Sequence, residues 1–462
     1  MSAGHSRFDR ASTRRRLSPW SLLPSAWSLL FLGLSACHSC SKEDARGGAA
    51  AADASAASLQ EGARCRDDGK ALALSGTDVV VGDAAVGPSG LLVGVVRTEG
   101  GKRVAGVLRA SLDLASSTVI DVGPAFGDDP PPSPRFHGTK AYVAFLTRQA
   151  TDGGPRQRTL NVAPLGDREL GPVEATVVQQ ADESTAFDVA WTDDGAALAA
   201  WDEDAPPRPD GGAGIPGAPD RGFVKVQALS VAGSPVAPPK DNPPRRVASP
   251  DTSDAESPRL VARPGGFWLA WLARRVEEDG HTIEGPGEKR TFRWVEAVAL
   301  DARGEPAGPV RRVSPTSGRA AAFELSVRGE DLVVLVQDEA AHAEGGGSRI
   351  VRYLVSSEVE SADLVDGGVG EANAELVPSA PGQGTRWLAW GDGTERMRLT
   401  PLDAELVATG RTSAEPALDG ARVLASSPPD VVYALVGAAP RPEGSGEAAP
   451  PSHPELRRFV CK

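Results

Sequence analysis

Beyond residue 70 the chain alternates short apolar runs with polar breaks carrying Pro, Gly or Asp, and no apolar stripe of helical period runs for a convincing length. The clearest unit starts at Ser257-Pro258-Arg259-Leu260-Val261-Ala262-Arg263. A Pro264-Gly265-Gly266 turn follows, then the strongly apolar Phe267-Trp268-Leu269-Ala270-Trp271. This predicts two strands joined by a tight turn, a third strand at Phe292–Asp301 and a fourth at Val310–Ser314.

The pattern returns along the chain. Turn residues precede apolar second strands that end near Val95, Phe145, Trp201, Trp271, Val336, Trp390 and Val436, between 46 and 70 residues apart. The longer intervals carry insertions between second and third strands. Seven four-stranded units so spaced resemble the blades of a β-propeller; six or eight blades are the neighbouring counts. The fold class expected is therefore all-β. Second strands apolar on both faces suit blades packed face to face, with Trp201, Trp271 and Trp390, and Phe145 in the same place, as core between blades. A series of two-sheet sandwiches would need about seven strands per 100 residues and fits the even repetition less well.

The last unit, Arg422–Ala425, Val431–Val436 and Glu455–Cys461, is one strand short, while Lys70–Ser75 precedes the first full unit. The economical reading lets that N-terminal strand complete the last blade. Cys65 and Cys461 then fall on neighbouring strands and are expected to form a disulfide across the closure.

At the N-terminus, Arg7, Arg10 and Arg14 to Arg16 precede an apolar stretch from Leu17 to Leu34. Leu34-Ser35-Ala36-Cys37 resembles the lipobox of bacterial lipoproteins. The resemblance implies cleavage before Cys37, lipidation of that cysteine, and an export route on which disulfides form. His38, not Asp, follows Cys37, which by the same resemblance points to the outer membrane. The stretch is near the roughly 20 residues of a membrane span, but Pro19, Pro24 and several serines weaken that alternative. The expected organisation is a signal peptide over 1–36, an Ala/Gly/Ser-rich tether over 37–62 and a propeller over 63–462.

Composition narrows the function classes. Asp and Glu number 62 against 49 Lys and Arg, a net charge of −13, which argues against a nucleic-acid partner. Five connections between second and third strands are long and polar: Gln149–Arg158, Asp202–Arg221, Glu277–Arg290, Asp338–Arg349 and Ala438–Pro454. Strand direction places them on one face. Several begin with acids, so Asp202, Asp204, Glu277, Asp338 and the shorter connection's Asp392 form an expected acidic rim for cations or basic partner segments, or simply a solubilised edge.

At the central channel, aligning first strands puts Arg135, Arg259, Glu324 and Glu375 level with one another. Arginines there suit a ligand carboxylate, and Glu324 and Glu375 are candidate acid and nucleophile for a glycoside; a ring of mutual salt bridges is the commoner use. The histidines lie singly, without metal-ligand spacing, and no nucleophile elbow, phosphate loop or dinucleotide fingerprint occurs. No metal and no cofactor is expected. The sequence favours a monomeric, lipid-anchored module that binds an envelope protein or glycan without catalysis, with a carbohydrate-active enzyme as the alternative.

Overall fold

The structure is a computed structural model. It describes residues 64–461 except 128, 150–156, 179–185, 205–221, 232–244, 247–253, 279–288, 340–347, 370–374, 378–385, 392–395, 404, 428–429 and 438–453. Cys37 and its lipobox, the tether, Asp392 and the middles of the five long connections lie outside the described residues.

The second strands explain the architecture. Gly90–Glu99 is buried over its first eight positions and Asp331–Asp338 over its last seven, so neither strand has a solvent face. A strand apolar on both sides needs a sheet packed against each side, and a closed ring of blades supplies both. Blade 1 runs Thr77–Gly87, Gly90–Glu99, Lys102–Ala110 and Ser117–Pro124 from the channel outward. Blade 2 is Ser133–His137, Lys140–Gln149, Gln157–Pro164 and Ala175–Val178; blade 3 is Phe187–Trp191, Ala197–Asp204, Gly222–Leu229 and Arg245–Arg246. Blade 4 holds Asp254–Arg263, Gly266–Glu278, Lys289–Asp301 and Arg311–Arg312, and blade 5 Ala320–Arg328, Asp331–Asp338, Ser348–Val355 and Val359–Val369. Blade 6 is Glu375–Val377, Arg386–Gly391, Met397–Leu402 and Ser413–Ala414. The fold is a seven-bladed β-propeller.

Every pair of consecutive blades shares an apolar cluster. Trp201 packs with Tyr142 and Val189 between blades 2 and 3, Trp271 with Leu198 and Val226 between blades 3 and 4, and Trp390 with Val333 between blades 5 and 6. Phe145 fills the same role between blades 1 and 2. Several outer strands are only two residues long, and Arg245–Arg246 and Arg311–Arg312 are charged throughout, which discourages another sheet from pairing with the rim.

Blade 7 closes the ring. Arg422–Ser427, Val431–Val436 and Glu455–Cys461 are joined by Cys65–Ala73 as the outermost strand. Cys65 lies directly opposite Cys461, and the two form a disulfide. The closing strand starts earlier than the expected Lys70–Ser75. Its register breaks between Asp67 and Ala71, where the Gly69 and Lys70 amides donate to Asp67 Oδ1 at 2.8 Å and Asp68 Oδ1 at 3.0 Å. That polar turn hides the first half of the strand from an apolar pattern. Fully buried Glu415, from the last part of blade 6, accepts the backbone amides of Arg64 at 3.1 Å and Cys65 at 2.7 Å, fixing where the strand enters.

Blades 1 and 2 meet through glycine. An added Cβ on Gly94 would lie 1.7 Å from the Pro132 carbonyl oxygen, and one on Gly82 would lie 2.7 Å from the Pro131 ring. Pro130-Pro131-Pro132 has its φ angles locked and cannot swing aside. Gly94→Ala is therefore expected to cost about 3 kcal/mol, the upper end of ordinary overpacking. Gly127→Ala, whose Cβ meets nothing within 4 Å, is the control in the same denaturant titration.

Candidate functional site

The inner strands line the channel, and cross-strand register gives their levels. Asp188, Arg259, Glu324 and Glu375 lie opposite Ala200, Ala270, Leu335 and Ala389. Each of those partners immediately precedes the position held by Trp201, Trp271, Val336 or Trp390. In blade 2 the same level, opposite Ala144 and before Phe145, belongs to Ser133, and Arg135 sits two residues further along. This corrects the expected alignment of Arg135 with Arg259. The irregularities at Val81/Ala84 and Glu256/Arg259 break any fixed count along the inner strands.

Arg135 uses its two-residue offset to reach both neighbouring blades. Its Nη2 lies 3.2 Å from Asp83 Oδ2 of blade 1 and 2.9 Å from Asp188 Oδ1 of blade 3. Ser133 Oγ donates to Asp83 Oδ2 at 2.7 Å, and the Leu260 amide of blade 4 donates to Asp188 Oδ2 at 2.8 Å. Arg259 and Glu324 extend the series into blades 4 and 5, where the Glu324 charge is the strongest attraction on the Arg259 guanidinium. Acid, base, acid, base, acid thus follow one another across five blades.

The groups are walled in by protein while water still reaches them: 39% of the Asp83 side chain and 27% of that of Arg135 are exposed, against 6% for Asp188. Burial opposes ionisation of Asp83, but Arg135, Arg259 and the Ser133 hydroxyl overcome it and hold the carboxyl well below the usual range. Burial likewise opposes the charge on Arg135, and Asp188 and Asp83 outweigh it. For Arg259, burial is outweighed by Glu324 first and then by Asp188 and Asp83. With three carboxylates against two guanidiniums, the ladder is net negative. Glu375 shares its level by register; its side chain lies outside the described residues.

The expected acidic rim is drawn inward. Asp202 Oδ2 accepts the Ser257 amide of the next blade at 3.0 Å. Buried Asp338 accepts the Arg319 amide at 3.0 Å and an Arg349 guanidinium N–H at 3.4 Å. Asp204 and Glu277 are still paired strand residues, opposite Gly222 and Arg290, so those connections open later than the sequence suggested. Sequence reasoning missed the neighbouring ion pairs Asp129–Arg148 at 3.2 Å, Asp129–Arg158 at 3.3 Å and Asp254–Arg274. It also missed Asp83 and Asp188; an acid inside the apolar run Phe187-Asp188-Val189-Ala190-Trp191 was the available signal. Among the described residues no group of three or more His, Cys, Asp or Glu is arranged to hold a metal ion.

No family model matches the chain, and no curated protein does. Solved structures resemble it in architecture. The polysaccharide lyase Uly1 is 10% identical with a TM-score of 0.46, covering 82% of this chain and 89% of its own. A PL25 ulvan lyase is 8% identical with a TM-score of 0.47, covering 80% and 93%. The α-L-arabinofuranosidase Arb93A from Fusarium graminearum is 9% identical with a TM-score of 0.37, covering 71% and 91%. Likeness at this level describes strand architecture and is silent on chemistry.

Proposed function

We propose that the protein is a carbohydrate-directed propeller, lipid-anchored through Cys37 in a bacterial envelope, which binds a neutral, hydroxyl-rich glycan at the channel mouth. The observation that carries the reading is the alternating series Asp83–Arg135–Asp188–Arg259–Glu324. Adjacent acceptors and donors, held by one another, match the paired donor and acceptor character of vicinal hydroxyls. The net negative balance disfavours an acidic sugar. With Asp202 and Asp338 engaged internally, the case for a basic protein segment on the rim is weaker than for a glycan in the channel.

A second reading is catalytic. It is favoured by three carboxylates reaching one channel from separate strands, the raw material of glycoside cleavage. Asp83, held ionised, is a poor proton donor, and both oxygens of Asp188 are engaged by Arg135 and the Leu260 amide, so of the three the acid would have to be Glu324. A neutral-versus-acidic glycan binding screen on the purified body, with Arg259→Ala and Glu324→Gln, separates the readings. Arg259→Ala is expected to weaken binding of a neutral glycan by about tenfold or more, the loss of a charged hydrogen-bond donor. Preference for acidic glycans, or binding indifferent to Arg259, would overturn the proposal. Turnover that Glu324→Gln abolishes while binding survives supports the enzyme. For the anchor, Cys37→Ala is expected to release the protein from the membrane fraction.

A further inference from the structure

One arginine departs from the pattern of the others and shares no residue with the channel ladder. Arg386 opens the second strand of blade 6, opposite Leu402, at the end of the blade away from the long connections. Arg386, Leu388 and Trp390 share one side of that strand, and Leu388 and Trp390 pack with Val333 and Leu335 of blade 5. The guanidinium reaches across the boundary between the two blades, where its Nη1 donates to Ser326 Oγ of blade 5 at 2.7 Å. Ser326 is only 1% exposed and pairs with Val333 in the sheet, so the oxygen it offers is held in place.

Charge sets Arg386 apart. Burial pulls its guanidinium below the ordinary arginine value, and among the described residues no carboxylate offsets that effect. Arg135 and Arg259 are buried too, but there neighbouring acids outweigh burial. Residues 378–385, just ahead of Arg386, contain no Asp or Glu. Arg328, two residues beyond Ser326, is matched by Asp331 Oδ2 at 3.3 Å and Glu405 Oε2 at 3.6 Å. In a chain with 62 acids and 49 bases, a half-buried arginine without a carboxylate calls for an anion from outside.

The fork selects the kind of anion. Ser326 takes Nη1 alone. Nε and Nη2, along the other edge, have no hydrogen-bond partner among the described residues and are not sealed from water. Two parallel N–H donors in one plane match the two oxygens of a carboxylate. A single unmatched positive charge suits a monoanion; a phosphate dianion would need a second cation, and Arg328 is already committed. We propose that Arg386 and Ser326 form a binding site for the carboxylate of a small organic acid at the boundary of blades 5 and 6, gripped by Nε–H and Nη2–H while Ser326 steadies the fork. Such a ligand meets this arrangement only in the folded chain, so it stabilises the ring by mass action.

The probes are acetate and acetamide, alike in shape and different in charge, with inorganic phosphate as a third, each titrated into the full chain at constant ionic strength. Ligand-observed NMR and thermal melting are expected to show saturable acetate binding and a rising melting temperature, with acetamide and phosphate at least about tenfold weaker. Arg386→Gln is expected to abolish acetate binding and, without ligand, to melt no lower than the wild type, because it removes a charge that burial disfavours. Arg386→Lys keeps the charge, loses the fork and is expected to weaken acetate about tenfold. Acetate binding that falls with Arg259→Ala and not with Arg386→Gln belongs to the channel and overturns the site. A lower melting temperature of Arg386→Gln with acetate binding retained makes Arg386 a structural bridge to Ser326 and does the same. So does the absence of saturable acetate binding. Tighter binding of acetamide or phosphate than of acetate overturns the proposed ligand class.

Discussion

Reduction of the Cys65–Cys461 disulfide is expected to lower the melting temperature by several degrees, and a Cys65→Ala/Cys461→Ala double variant is expected to show the same fall. The two cysteines are 396 residues apart, so the bond removes a very long loop from the unfolded ensemble. Chain-entropy arithmetic for a loop of that length gives at most about 6 kcal/mol. At roughly 2.1 cal/mol/K of unfolding entropy per residue, a body of this size turns that into about 7 °C. Agreement between the reduced wild type and the double variant isolates the covalent link, because only the variant also loses buried sulfur atoms. Calorimetry on both decides the matter. Melting temperatures within about 1 °C of the oxidised protein would mean that the apolar cluster and Glu415 hold the closure by themselves.

Arg135→Met carries the second large effect. Methionine keeps much of the aliphatic volume but leaves Asp83 and Asp188 facing the channel without their shared guanidinium. Breaking a buried pair by removing one partner typically costs 3–5 kcal/mol. Asp83 remains 39% exposed and is screened by water, so about 3 kcal/mol is expected at neutral pH. The pH dependence has a definite sign. Asp83 titrates below its ordinary value of 3.8 in the folded protein, so its contribution is complete above that value and is lost as pH falls toward the folded pKa. Without Arg135 the Asp83 carboxyl takes up its proton at higher pH, which relieves the variant. Urea titrations from pH 7 to pH 3 should therefore show the gap between variant and wild type narrowing on acidification. A gap that is constant across that range would show packing, not charge, to be what Arg135 supplies.

The architecture was legible because the repeat writes the same apolar second strand seven times, and an apolar run with no polar face has few other uses. The closure was legible from a missing strand at one end and a spare one at the other. The channel was harder. Asp83 and Asp188 stand 52 and 53 residues from Arg135, and in one dimension nothing ties either of them to it. Bulges beside Asp83 and Arg259 remove the constant offset that an alignment of blades assumes. The rim misled for a related reason. The strand Ala197–Asp204 runs on past Asp202, Asp338 is itself the paired last residue of its strand, and the amides that claim those carboxylates, Ser257 and Arg319, lie near the start of an inner strand. Glu415 gave no signal at all, since it bonds an amide 350 residues away.

The position of the disulfide also decides how the molecule bears load. Antiparallel strands pulled from one end part pair by pair, each hydrogen bond failing in turn. Cys65 is the first residue of the closing strand and faces Cys461 in the first pair of the ladder. Tension entering through the chain ahead of Arg64 therefore meets a covalent bond before any of those pairs, and passes across it into the end of the strand Glu455–Cys461. The amides of Arg64 and Cys65 on Glu415 yield first, and the blade behind them stays zipped.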